Sequence, residues 1–163
     1  MENELTKPAV ILRWAITLGW AALIFSLSTE TYTADFTGRL LAGTFHWLHI
    51  HVSRGVFRLL HAMLRKLAHL TEYRVFALLL YGLPSKKSSG HWQPRRAVYC
   101  ILGAALYSLT DEFHQLFVPG RHASLLDCGI DTVVAAIAML IPYAQERISF
   151  LKSSKTSRQG HPV

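Results

Sequence analysis

Charge is scarce in this chain, and acid scarcer than base: of 163 residues only 17% are charged, with 10 Asp and Glu against 17 Lys and Arg. Half the residues are apolar and mean hydropathy is positive at +0.25, which excludes an ordinary water-soluble composition and points to an integral membrane protein. Cysteine is nearly missing as well. Cys100 and Cys128 each fall inside an apolar run without CxxC spacing, so they read as small core residues and say nothing of redox compartment. No GxSxG, HExxH, Walker loop or Gly-rich dinucleotide fingerprint occurs, and no internal repeat. The enzyme classes those motifs mark have no support, and no soluble cofactor site is visible. The net charge of +7 would suit nucleic acid, but the basic residues stand between apolar runs and in the tail, where anionic lipid head groups are the better match. A chain of this length holds one compact bundle, residues 1–163 as a single domain.

The apolar segments predict an all-α integral membrane four-helix bundle. Crossing the hydrocarbon core takes about 20 helical residues, and residues 8–27 supply such a run with Arg13 as its only charge. A signal peptide is the rival reading, since Lys7 precedes the run and Ser26, Leu27, Ser28 is a small-x-small site. The run is longer than a signal core, and Trp14 and Trp20 resemble membrane anchors. Helix two spans residues 63–83, helix three 97–115 and helix four 124–143. Between helices one and two, Phe36, Leu40, Leu41, Phe45, Leu48, Val52, Val56, Leu59 and Met63 recur at three to five residues, as in an amphipathic helix on the membrane surface, broken around Ser53 and Gly55. His46, His49 and His51 near that break lack a fourth zinc ligand and read as interfacial. Residues 84–94 form a polar loop, and the tail from residue 152 is expected to be disordered. With the N-terminus inside, Lys7, Lys86, Lys87, Arg95, Arg96, Arg147, Lys152, Lys155 and Arg158 are all cytoplasmic, while Arg39, Arg54 and Arg58 count against this orientation.

Ionisable residues crowd three of the four segments. His69, Glu72 and Tyr73 share a face of helix two, with Arg65 and Lys66 one turn earlier. Asp111, Glu112, His114 and Gln115 end helix three; Asp127 and Asp131 stack four apart on helix four. Each charge at the bilayer centre costs on the order of 3 kcal/mol, so such groups are functional candidates by default. A structural alternative stays open: Arg65 or Lys66 paired with Asp111 or Asp127, and His69 with Glu72, would satisfy one another without a ligand. Arg121, after the Pro119-Gly120 turn and ahead of helix four, stands where a phosphate or carboxylate can be held, or is a solvated loop residue. Asp127 and Asp131 are metal-ligand candidates only if Asp111 or Glu112 joins them. His69 and His114 are the candidate general bases, or partners of nearby carboxylates.

At these residues the chain resembles the VanZ-like family of bacterial membrane proteins. The resemblance rests on Ile24, Phe25, Ser26, Leu27 and Ser28; on Arg65, Lys66, Leu67, Ala68, His69, Glu72 and Tyr73; on Asp111, Glu112, Phe113, His114, Gln115, Phe117, Val118, Pro119, Gly120 and Arg121; and on Asp127 with Asp131. It implies a multi-pass protein of the cytoplasmic membrane and cell envelope, and for the family's founding member a role in lowering susceptibility to teicoplanin-type glycopeptides. Two functional expectations arise. In the first, the polar cluster of Lys66, His69, Glu72, Tyr73, Asp111, Glu112, His114, Gln115, Arg121, Asp127 and Asp131 binds an anionic lipid or lipid-linked cell-wall intermediate. In the second, a membrane-embedded enzyme acts on a phosphorylated lipid head group, with His69 or His114 as base and Asp111, Asp127 and Asp131 as metal ligands.

Overall fold

A computed structural model describes residues 7–28, 32–83, 91–118 and 123–159, all of whose regular structure is helical: α1 Lys7–Ser28, α2 Tyr32–Trp47, α3 Arg54–Gly82, α4 Pro94–Gln115, α5 Leu125–Ala138 and α6 Leu140–Gln159. Two stretches, Lys7–Ser28 and Leu125–Ser153, are long and apolar enough to cross a membrane. α3, α4 and α5 pack against one another, α1 lies along α3 and touches α4, and α2 packs on α3. The shared core is narrow. Its small members Ala77, Ala97, Cys100, Ala104, Ala135 and Ala138 let the helices approach closely around Ile24, Tyr73 and Phe76.

Helix boundaries reflect local chemistry. α2 ends in a Schellman turn: Ile50 N–H donates to the Phe45 carbonyl at 2.9 Å and His49 N–H to that of His46 at 3.1 Å, with His49 in the left-handed region at φ 55°. Ser53 then caps α3, accepting from the Val56 N–H. The expected break around Ser53 and Gly55 is therefore real, but the chain beyond it does not form a separate surface helix. α3 runs unbroken for 29 residues, about 43 Å, and helix two thus begins at Arg54 rather than at residue 63. α4 starts at Pro94, three residues before expectation, because proline is preorganised for the first helical position.

The fourth expected helix, residues 124–143, is interrupted at Met139. Pro142 lacks an N–H and its ring opposes the carbonyl four residues back, so the ladder breaks there; falling in the first turn of α6, it lets the helix resume. That helix continues to Gln159, which corrects the expectation of a disordered tail from residue 152 through that point. Glu146 ties it down, accepting from the Trp92 N–H at 2.6 Å and meeting His91 Nδ1 at 3.0 Å.

One end of the assembly gathers basic and aromatic side chains. Arg13 donates to the Gly82 carbonyl at 2.7 Å and Arg96 to that of Leu83, so two guanidiniums satisfy carbonyls left open at the end of α3. Arg96 also lies 5.1 Å above the Tyr81 ring, which stacks on Trp92.

Candidate functional site

The surface and interior of α4 are exchanged relative to a soluble helix. Val98, Tyr99, Leu102, Leu106, Leu109, Phe113 and Leu116 form an exposed stripe, whereas Ser108, Asp111, Glu112 and Gln115 are buried. Successive turns carry Ala104, Ser108, Asp111 and Gln115 on one face, and that face meets α3, α5 and the end of α1.

Three linked groups of contacts make up the buried polar layer. Asp131 of α5, 1% exposed, receives the Ser108 hydroxyl at 2.7 Å on Oδ2 and faces His69 Nε2 at 3.2 Å across the same oxygen. The other ring nitrogen of His69 lies 3.5 Å from Glu72, and its ring meets Tyr73 edge-on at 5.0 Å. Asp111, 2% exposed, accepts from Gln115 at 3.2 Å, and Gln115 also donates to Ser28 Oγ at 2.7 Å, joining α4 to the last residue of α1. Glu112 accepts the Ser124 N–H at 2.6 Å, and the Ser124 hydroxyl in turn caps α5 at the Asp127 N–H. A carboxylate of α4 thus fixes where α5 begins.

Lys66 forms the rim, its side chain 67% exposed and its ammonium 3.2 Å from Asp127. Two polar atoms inside the layer, Tyr73 OH and Asp111 Oδ1, are buried with no hydrogen-bond partner among the described residues. Such atoms cost free energy unless something polar reaches them.

Of the residues singled out in the sequence, Lys66, His69, Glu72, Tyr73, Asp111, Glu112, Gln115, Asp127 and Asp131 come together at one level of the bundle. The His114 ring packs at a tilt against Phe25 of α1, ring centroids 4.5 Å apart, whereas His69 lies between Asp131 and Glu72. Arg121, with Pro119 and Gly120, lies outside the described residues. Asp127 and Asp131 do not converge on one ion: the first goes to Lys66 and the second to His69 and Ser108. Among the described residues no group of three or more His, Cys, Asp or Glu side chains could hold a metal ion, so Asp111, Asp127 and Asp131 form no donor set.

Sequence reasoning passed over Ser108, Ser124 and Tyr107, and read Trp20 as a membrane anchor where it ties α1 to α3. The Trp20 indole donates to the Glu72 carbonyl at 3.0 Å and the Tyr107 hydroxyl to that of Ala21 at 2.6 Å. Ser108 had a signal, since it lies three residues before Asp111 and seven before Gln115. Among curated proteins and among solved structures, no match to this chain is found. The family model described as VanZ/LLP1 matches residues 13–146, which hold all of these contacts, and the chain belongs to the VanZ/LLP1 family.

Proposed function

We propose that this single-domain protein crosses the bacterial cytoplasmic membrane four times, with α1, α3, α4 and the α5–α6 unit as its spans and α2 as an amphipathic interfacial element. The observation carrying this reading is α4, whose apolar side chains are exposed while its carboxylates are buried, an arrangement that is unfavourable in water and favourable in lipid. The basic and aromatic end, with Arg13, Arg96, Tyr81 and Trp92, has the character of a cytoplasmic interface and supports cytoplasmic termini. Along α3, His69 is then about 20 Å and Lys66 about 24 Å from Gly82, so the polar layer sits deep and its rim approaches the outer leaflet.

At that rim the protein binds the phosphate of an anionic lipid or lipid-linked cell-wall intermediate, and thereby lowers susceptibility to teicoplanin-type glycopeptides. Lys66 and Arg121 supply the cations, while Asp127, Asp131, Glu72 and Asp111 position α3 against α4 and α5. The family and the exposed Lys66 at the edge of a buried polar layer support this assignment. The test is a Lys66→Gln, Arg121→Ala double variant, assayed for binding of a polyprenyl-diphosphate-linked cell-wall precursor and for teicoplanin susceptibility of cells. Weaker binding with greater susceptibility is expected; both unchanged would sink the reading.

A second reading, a membrane enzyme acting on a phosphorylated head group, draws support from His69, which is flanked by Asp131 and Glu72 in the manner of an oriented base. Turnover of a phosphorylated lipid that survives alanine at both His69 and His114 would exclude it.

A further inference from the structure

α2 and the first turns of α3 form a helical pair beyond the polar layer. They meet through Phe45 on Phe57 at 6.3 Å and Thr37 on His61 at 2.8 Å. Outside this seam, a concavity of about 500 Å³ is lined by Val52, Arg54, Phe57 and Arg58. Arg54 and Arg58 stand one helical turn apart and both are exposed. Neither makes an ion pair or hydrogen bond with any described residue, and the first turn of α3 contains no acidic side chain. The groove therefore combines two unneutralised guanidiniums with an apolar floor of Val52 and Phe57, and Val56 and Leu59 beside it are exposed too.

Depth decides what meets such a groove. Measured from Gly82 at 1.5 Å per residue, Arg58 is about 36 Å and Arg54 about 42 Å along α3. The hydrocarbon core is about 30 Å thick, so both arginines lie beyond it on the outer side, level with lipid phosphates, and a tilt of about 20° leaves them there. They are also two of the three residues, with Arg39, that break the positive-inside pattern, and an anionic lipid at this position accounts for these two.

We propose that the Val52, Arg54, Phe57, Arg58 groove is a binding site for an anionic phospholipid of the outer leaflet, its phosphate held by the two guanidiniums and the carbon skeleton of its head group and glycerol against Val52 and Phe57. The site is separate from the Lys66 rim, about 12 Å or more further along α3, and the depth argument rests on the four-crossing reading above.

The full chain in detergent micelles is titrated with dioleoyl-phosphatidylglycerol and, separately, dioleoyl-phosphatidylcholine, and bound lipid is counted by native mass spectrometry. Phosphatidylglycerol binds preferentially, and Arg54→Gln with Arg58→Gln weakens it about thirtyfold, from two basic residues at an anionic surface. The Arg54→Lys, Arg58→Lys variant keeps most of the affinity, which separates loss of charge from loss of fold. Unchanged phosphatidylglycerol affinity in the glutamine variant overturns the proposal, as does displacement by inorganic phosphate at equal concentration. The cell-wall precursor titrated in parallel reads the Lys66 rim: if it fails to bind while phosphatidylglycerol depends on Arg54 and Arg58, the groove stands and the rim assignment falls.

Discussion

Asp131 is the residue on which the polar layer turns, because one carboxylate oxygen serves both Ser108 on α4 and His69 on α3. Replacing it with alanine removes the acceptor of the buried Ser108 hydroxyl and the nearer of the two carboxylates beside His69. For a buried pair broken on one side the cost is about 3–5 kcal/mol, and thermal unfolding of Asp131→Ala in detergent, followed by circular dichroism, should show a correspondingly large drop in Tm. Asp131→Asn keeps the shape and a hydrogen-bond acceptor and should fall between. Arg74 presents the opposite case. It is exposed on α3, about 12 Å from Gly82 and so at hydrocarbon depth in the proposed topology. A charge there costs on the order of 3 kcal/mol, so Arg74→Leu should raise the yield of inserted protein. Loss of function with that gain in yield would mark Arg74 as the contact for a partner helix.

Among the elements, α4 carries the argument for lipid. Its hydropathy is lowered by Arg95, Arg96, Asp111 and Glu112, so it falls outside the stretches long and apolar enough to cross a membrane. In the folded chain Asp111 and Glu112 are buried and the surface between the ends is apolar, which is the support for the proposed crossing. The discriminating substitution is Leu106→Lys, at a position 64% exposed. On a soluble helix bundle this change is nearly neutral. In a bilayer it opposes insertion by about 2.5–3.5 kcal/mol, and membrane-fractionated yield should fall sharply; an unchanged yield would mean that this face meets water. α3 illustrates a different point. A 29-residue helix is longer than one crossing needs, and in the proposed topology the excess carries Arg54 and Arg58 outward.

For the whole molecule, the decisive quantity is sidedness. Cys100 and Cys128 are both buried, so a Trp47→Cys variant offers one accessible thiol at the far end of α2, where Trp47 is 76% exposed. A membrane-impermeant maleimide should label it on intact cells, whereas a cysteine at Lys152 should react only after permeabilisation. The reverse pattern would invert the topology, and with it the assignment of both lipid sites to the outer leaflet.

Much of this was legible in the sequence. Periodicity determined the helical class, a break around Ser53 and Gly55 and the shared faces of His69, Glu72 and Tyr73 and of Asp111 and Gln115, because these depend on neighbours within a turn or two. Composition alone indicated lipid as the solvent. Tertiary structure decided the rest, since partners far apart in sequence set it. Whether Asp127 and Asp131 would share an ion or separate depended on where α3 lay, and α3 presents Lys66 to one and His69 to the other. Ser28 and Ser108 are ordinary helix residues until Gln115 and Asp131 are brought within hydrogen-bond distance. That α6 continues past Pro142 to Gln159 was equally hidden: the anchor is Glu146 meeting His91 and Trp92, a contact across more than fifty residues that no local pattern encodes.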